Sequence, residues 1–215
     1  MLIIMDGCDN TGKSSIGLAL SKAIDCPYLK YSNITKDNID KDTQSEININ
    51  SSIYGLSILN ALGNPNIIID RQYPSEYAYG KVFRNTKFHD IEFVDSFLSK
   101  NFNKHLIIIT EKSINIQKEN DFVLCKHYEE LKEAYRDFAK RTSAKCIILD
   151  TTDQDLYKQL EKIFWHLDEQ RFIRVKRTYY NEKAQKAENQ TQKNSERGSS
   201  RHASRRLSRS KSKRP

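Results

Sequence analysis

The sequence predicts an α/β fold of three layers: a five-stranded parallel sheet with helices on both faces, followed by a disordered basic C-terminal tail. Three observations predict it. Short apolar runs alternate with longer segments of helical spacing. The runs carry few polar interruptions, as strands buried on both faces do. Charge is also divided along the chain. Of 36 Lys/Arg and 28 Asp/Glu, fourteen basic and three acidic residues lie from Arg174 onward, so residues 1–173 hold 22 basic and 25 acidic. The net charge of +8 therefore belongs to the tail, and the body is mildly acidic.

The strand candidates, in order, are Leu2–Met5, Pro27–Tyr31, Ile67–Ile69, Leu106–Ile109 and Cys146–Leu149. Helices are expected over Ser14–Ala23, Ser45–Leu62, Pro74–Phe83, Ile91–Leu98, Tyr128–Arg141 and Asp153–Leu167. Tyr128, Leu131, Ala134, Tyr135 and Phe138 form one apolar stripe, with charges on the other faces. Thr151-Thr152-Asp153 predicts the N-cap of the last helix. A domain over 1–173 and an appendage over 174–215 follow, the latter holding the end of the last helix and the tail. From about Arg177 the composition is too polar to offset the entropy of ordering. Its Arg–Ser and Lys–Ser steps suit polyanion binding, and a purely solubilising extension fits them equally.

Several classes are disfavoured. Cys8, Cys26, Cys125 and Cys146 form no CxxC pair and read as reduced thiols of a cytosolic protein. No apolar run reaches the roughly 18 residues of a membrane span. The first run meets Asp6 early and has no basic region before it, unlike a signal peptide. A cytoplasmic protein without a membrane segment is expected. The five histidines show no metal-ligand spacing.

Chemistry enters at Gly7-Cys8-Asp9-Asn10-Thr11-Gly12-Lys13-Ser14, a GxxxxGK[ST] loop between the first strand and the first helix. Such a loop turns its backbone N–H groups inward, and the helix N-terminus adds to the attraction for anionic oxygens. Lys13 is placed to reach β/γ-phosphates and Ser14 to ligate Mg²⁺. The fold is thus of P-loop NTPase type, with ATP and Mg²⁺ as expected cofactors. Cys8 reads as a small loop residue, not a catalytic thiol.

A second motif, Asp70-Arg71, ends the third strand. A carboxylate there can hold the water shell of Mg²⁺, and the arginine can grip a phosphate bidentately. In isolation the pair would also serve to cap the next helix. Ligands of parallel α/β sheets bind beyond the strands' carboxyl ends, which gathers residues 6–14, Asp70-Arg71 and the segment after Thr110 around one crevice. The polar stretch of about 111–126, with Lys112 and Lys118, suits a lid that brings cations to a transferring phosphoryl group, or a plain surface connection.

Together these motifs resemble the thymidylate kinase family of nucleoside monophosphate kinases over about residues 1–167. That family's loop follows an acidic residue and a glycine and carries an internal Asp, as in Asp6-Gly7-Cys8-Asp9-Asn10-Thr11-Gly12-Lys13-Ser14-Ser15. Its second signature, DR[YF]xxSxxAYQ, is met at Asp70, Arg71, Ser75, Ala78 and Tyr79, while Gln72 and Gly80 depart from it. The resemblance implies phosphorylation of a deoxynucleoside monophosphate, dTMP to dTDP. It implies that Gly7, Asn10, Thr11, Gly12, Lys13, Ser14 and Ser15 hold the ATP phosphates and that Ser14 and Asp70 organise Mg²⁺. It places Arg71 on the acceptor's 5′-phosphate and Asp9 toward the acceptor and its sugar. Tyr79 would stand where a 2′-hydroxyl would lie, Ser75 near the base, and Tyr54 is the nearest aromatic for stacking. Lys118, Lys112 and Lys126 would supply cations for catalysis. Family members are commonly dimers, so a homodimer is implied as well.

The chain departs from the family at Asn10, where arginine is frequent, and at Lys30-Tyr31-Ser32-Asn33, where Arg-Glu-Pro-Gly is usual. Residues 45–66 also contain no arginine to read a base. A deoxynucleotide other than dTMP therefore stays open. So does a kinase acting on a nucleoside or polynucleotide 5′-hydroxyl, with Asp9 as base. A guanine-nucleotide switch would need an NKxD, and Asn103-Lys104-His105-Leu106 lacks its aspartate. A nucleic-acid-binding ATPase led by the tail conflicts with the acidic body.

Overall fold

The apolar runs do become strands, and the sheet they form fixes where the motifs meet. The structure is a computed structural model that describes residues 1–31, 39–84, 86–113, 122–153 and 155–167, the side chains of 122–125 excepted. All these residues belong to one unit, Met1–Asp168. The basic tail with its polyanion reading, and most of the expected lid including Lys118, lie outside the described residues.

Among the described residues the chain order is β1 (Leu2–Gly7), α1 (Lys13–Ile24), β2 (Tyr28–Lys30), α2 (Lys41–Ala61), β3 (Ile67–Asp70), α3 (Tyr73–Phe83), α4 (Phe88–Asn101), β4 (His105–Glu111), α5 (Phe122–Arg141), β5 (Cys146–Asp150) and α6 (Leu156–Phe164). The strands pair in the order β2-β3-β1-β4-β5, all parallel. Met5 stands beside Asp70, Gly7 beside Thr110 and Glu111 beside Asp150. The residues that follow β1, β3, β4 and β5 therefore emerge along one edge, with β1 in the middle.

Alternation along β1 sends its side chains to both faces. Leu2 and Ile4 join Tyr73, Tyr77, Val94, Leu98, Leu131 and Phe138, which places α3, α4 and α5 over one face. On the other, α1 packs on β1 and β3 and α6 on β5, burying Ile16, Leu20, Leu160 and Ile163. Each such side chain contributes about 1.5–3 kcal/mol relative to exposure. Among the described residues no helix is long and apolar enough to cross a membrane.

Helix starts differ from the expectation where a cap overrides periodicity. The second helix begins at Lys41, not Ser45, because the Asp40 side chain accepts the Thr43 N–H at 2.9 Å. The last helix is shorter than Asp153–Leu167: Asp155 caps it, accepting from Tyr157 and Lys158 N–H. The expected cap residue Thr151 is diverted, its hydroxyl donating to the Thr11 carbonyl at 2.8 Å.

Candidate active site at the strand ends

The loop between β1 and α1 is built by close approach. Gly7 adopts φ +130°, and a Cβ there would stand 2.2 Å from the Thr110 carbonyl oxygen, so a side chain would force β1 away from β4. Asn10 and Gly12, at φ 60° and 83°, complete the turn in the left-handed region that asparagine and glycine tolerate best. Thr11 is buried and donates to the Cys8 carbonyl at 2.7 Å, with its Oγ1 2.6 Å from that of Thr110. Lys13 reaches back across the loop to the Cys8 carbonyl, 2.5 Å away, which places a buried ammonium inside the loop. Burial foremost, then the Arg71 charge, draws its pKa down to about 8.

Beside the loop, the acidic residue of the loop pattern, for which the sequence suggests no role, organises the second half of the site. Asp6 is fully buried. Its Oδ1 accepts the Gly7 N–H at 2.8 Å, the Ser75 hydroxyl at 2.5 Å and the Tyr135 hydroxyl at 2.9 Å. Its Oδ2 accepts the Gln72 and Ser75 N–H groups, both at 3.1 Å, at the start of α3. Asp6 thus ties β1 to the first turn of α3 and to the middle of α5.

Arg71 stands where β3 gives way to α3, with φ 74° and its N–H bonded to the Met5 carbonyl at 2.8 Å. A non-glycine residue in this region is strained, and such strain concentrates at functional sites. The geometry turns the guanidinium over the loop. Nη1 lies 3.5 Å from the Gly7 carbonyl, donates to Ser75 Oγ at 3.1 Å and stands 4.0 Å from Asp6. Nη2 donates to Asp9. The Tyr79 hydroxyl donates to the other Asp9 oxygen at 3.0 Å, and the guanidinium lies 5.5 Å from the centre of that ring. Asp9, Arg71 and Tyr79 therefore meet as one cluster on the rim of the loop.

Ser14 and Asp70 also meet: the Ser14 hydroxyl donates to Asp70 Oδ2 at 2.8 Å. Asp70 Oδ1 is buried and, among the described residues, has no hydrogen-bond partner. A spare carboxylate oxygen next to a hydroxyl oxygen at a phosphate loop fits Mg²⁺, which takes one or two carboxylates plus phosphate and water instead of an all-protein cage. On the far side of the loop a cavity of about 390 Å³ is lined by Asn10, Ser15, Lys112, Thr151, Leu156 and Gln159, among others. This volume suits a small-molecule ligand.

Other expected site residues lie elsewhere or act differently. Ser75, expected beside a base, is fully buried, and Asp6, Tyr135 and Arg71 occupy its hydroxyl, so it supports Arg71. Tyr54 is 70% exposed on α2. Lys112 borders the cavity, its backbone clamped by the Tyr128 hydroxyl, which donates to its carbonyl at 2.6 Å. Lys126 is exposed on α5. Cys8 is buried, and burial pushes its thiol up to about 12, far from a reactive thiolate. Besides Asp6, the residues that sequence reasoning passed over are Thr110, Tyr135, Thr151 and Tyr28, whose hydroxyl donates to Asp70. An acidic residue directly before the loop glycine was the available signal for Asp6. For Tyr28 there was none.

No family model matches the chain, and no curated protein matches it. Solved structures do. The YorR protein of Bacillus subtilis, in complex with phosphorylated GDP, is 18% identical with TM-score 0.57, over 78% of this chain and 95% of that one. Thymidylate kinase from Ehrlichia chaffeensis is 16% identical with TM-score 0.56, over 78% and 98%. Thymidylate kinase from Candida albicans is 15% identical with TM-score 0.54, over 80% and 92%. At these identities the likeness is one of architecture. The chain shares its fold with these thymidylate kinase structures and with YorR.

Proposed function

We propose that the protein transfers the γ-phosphoryl group of ATP to the 5′-phosphate of a deoxynucleoside monophosphate, with dTMP as the preferred acceptor. One observation carries the reading: the Arg71 guanidinium is presented at the mouth of the phosphate loop, 3.5 Å from the Gly7 carbonyl and bonded to Asp9. A loop with Lys13 makes one site for anionic oxygens, and a planar fork beside it makes a second.

In this reaction an acceptor phosphate oxygen bonds to the γ-phosphorus as the bond to the β–γ bridging oxygen breaks, and ADP leaves. The acceptor phosphate is already ionised at neutral pH, so no side chain has to remove a proton. The protein's part is positioning and charge neutralisation. Lys13 and the loop amides hold the donor, and Arg71 aligns the acceptor. Asp6 and Ser75 hold Arg71 in place. Ser14 and Asp70 would hold Mg²⁺, which when bound neutralises charge on the phosphate oxygens. Asp9 accepts from Arg71 on one oxygen and from Tyr79 on the other, which fits a residue that holds the fork facing an acceptor phosphate. Tyr79 beside Asp9 supports a deoxyribose preference, and the choice of thymine rests on the likeness of the Asp70–Tyr79 segment to the family signature.

ADP release in a coupled assay, run over a panel of nucleoside monophosphates and nucleosides, tests this. The expected order is dTMP first, ribonucleotides slower and nucleosides inactive. Turnover of nucleosides with none of any monophosphate refutes it. In Arg71→Ala, turnover should fall about a thousandfold, as when a phosphate-binding arginine is lost elsewhere, while ATP affinity stays within about threefold.

A further inference from the structure

Tyr28 opens the edge strand β2 and belongs to no motif, yet its hydroxyl donates to Asp70 Oδ2, the oxygen that also accepts from Ser14. Register explains the reach: Tyr28 pairs with Ile68 and Lys30 with Asp70, so a side chain of tyrosine's length rises along the sheet to the carboxylate. The ring lies against Gly17, one turn beyond Ser14 in α1, where an added Cβ would stand 2.5 Å from Tyr28 Cε2. Glycine is disfavoured in a helix interior, and the ring accounts for its presence here.

We propose that Tyr28 is a positioning residue for the metal: its hydroxyl fixes the rotation of the Asp70 carboxylate and so leaves Oδ1 as the oxygen turned to the cation. This rests on the reading of Ser14 and Asp70 as the Mg²⁺ holders. The terminal torsion of an aspartate is soft. Two hydroxyl donors on a single oxygen restrain it, and they leave the buried Oδ1 without a partner among the described residues. The Ser14 proton is directed at Asp70, which leaves its lone pairs for a cation. A phenylalanine at position 28 keeps the ring over Gly17, removes one of the two restraints and frees Oδ2 to turn. Groups that orient a ligating carboxylate in this way typically change metal affinity by about 10–100-fold.

The test is the ADP affinity of the full chain, measured by calorimetry in EDTA and again across a Mg²⁺ titration. In Tyr28→Phe the metal-free affinity should stay within about twofold, while the Mg²⁺ concentration for half-maximal enhancement rises about tenfold. An unchanged Mg²⁺ midpoint overturns the proposal. So does an equal weakening with and without metal, because that is how a purely structural bond would behave. Should Tyr28→Phe fail to fold, Gly17→Ala carries the same test, since it keeps the hydroxyl but displaces the ring. Asp70→Asn is the reference and should abolish the enhancement. Enhancement that survives in Asp70→Asn refutes the metal role itself, whereas a flat Tyr28→Phe beside a sensitive Asp70→Asn refutes the Tyr28 inference alone.

Discussion

Asp6→Asn keeps the shape of the side chain and removes its charge, so it isolates what the buried carboxylate does. In the parent, five donors converge on the two oxygens: the N–H groups of Gly7, Gln72 and Ser75, and the hydroxyls of Ser75 and Tyr135. The best placement for the asparagine NH₂ is on the Oδ1 side, where both hydroxyls can rotate to accept. The Gly7 N–H cannot, and a buried donor without an acceptor costs about 1–3 kcal/mol. The two bonds left on the carbonyl oxygen also lose charge assistance, worth roughly 1 kcal/mol each. The sum is about 4 kcal/mol. For a domain of this size, 1 kcal/mol moves Tm by about 2–4 °C, so a fall of about 8–16 °C is expected in thermal unfolding followed by circular dichroism. Turnover should drop further than stability, because Arg71 loses the carboxylate 4.0 Å from its fork. Tyr135→Phe removes a single donor and should cost about 1.5–3 kcal/mol. A Tm within about 3 °C of the parent for Asp6→Asn would refute the account of how Arg71 is held.

Gly7→Ala places a Cβ 2.2 Å from backbone of β4, and a loss above about 3 kcal/mol together with loss of ADP binding is expected. A near-parental Tm would refute the packing. The free protein's Lys13 titrates near 8, below the ordinary lysine value of 10.5, while bound phosphate favours its charged form. Binding must therefore take up a proton above that pH, and ADP Kd should rise about tenfold between pH 7 and 9. In Lys13→Arg the slope should vanish, and a flat parental profile would contradict the buried ammonium. Burial also pushes both Cys8 and Cys146 up to about 12, and Cys26 is buried, so these three should resist Ellman's reagent at pH 8 until the chain is unfolded. Rapid native labelling of Cys8, mapped by mass spectrometry, would refute the closed loop.

How far the sequence foretold this depends on how local the cause is. The strands were readable because each is a short apolar run buried on both faces, and the loop because its glycines and Lys13 act within eight residues. Helix boundaries were less so. In α2 the inward face carries Asn48 and Ser52, each 2% exposed, which breaks the apolar period and hides the start at Asp40. Thr151 reads as a cap, but its hydroxyl serves the loop 140 residues away. Ser75 reads as a substrate contact because the motif fixes its spacing and not its surroundings, and Asp6 claims its hydroxyl. Tyr28 and Tyr135 reach Asp70 and Asp6 from 42 and 129 residues away, and nothing near them in the chain marks either partnership.

Because β1 lies between β3 and β4, three neighbouring ladder rungs deliver the loop, Asp70 with Arg71, and Thr110 to one place. Adjacent strands are about 4.8 Å apart, a spacing set by backbone hydrogen bonding and indifferent to side chains. The separation of the phosphate loop from Arg71 is thereby written into the peptide ladder. Residues remote from these tips and from the side chains gathered on them are free to drift so long as the sheet survives, which is how two chains can agree at fewer than one position in five and still superimpose. For an engineer the same geometry marks the outward faces of the helices as the part of this scaffold to redesign, and the three strand tips, with the helix residues that meet them, as the part to leave alone.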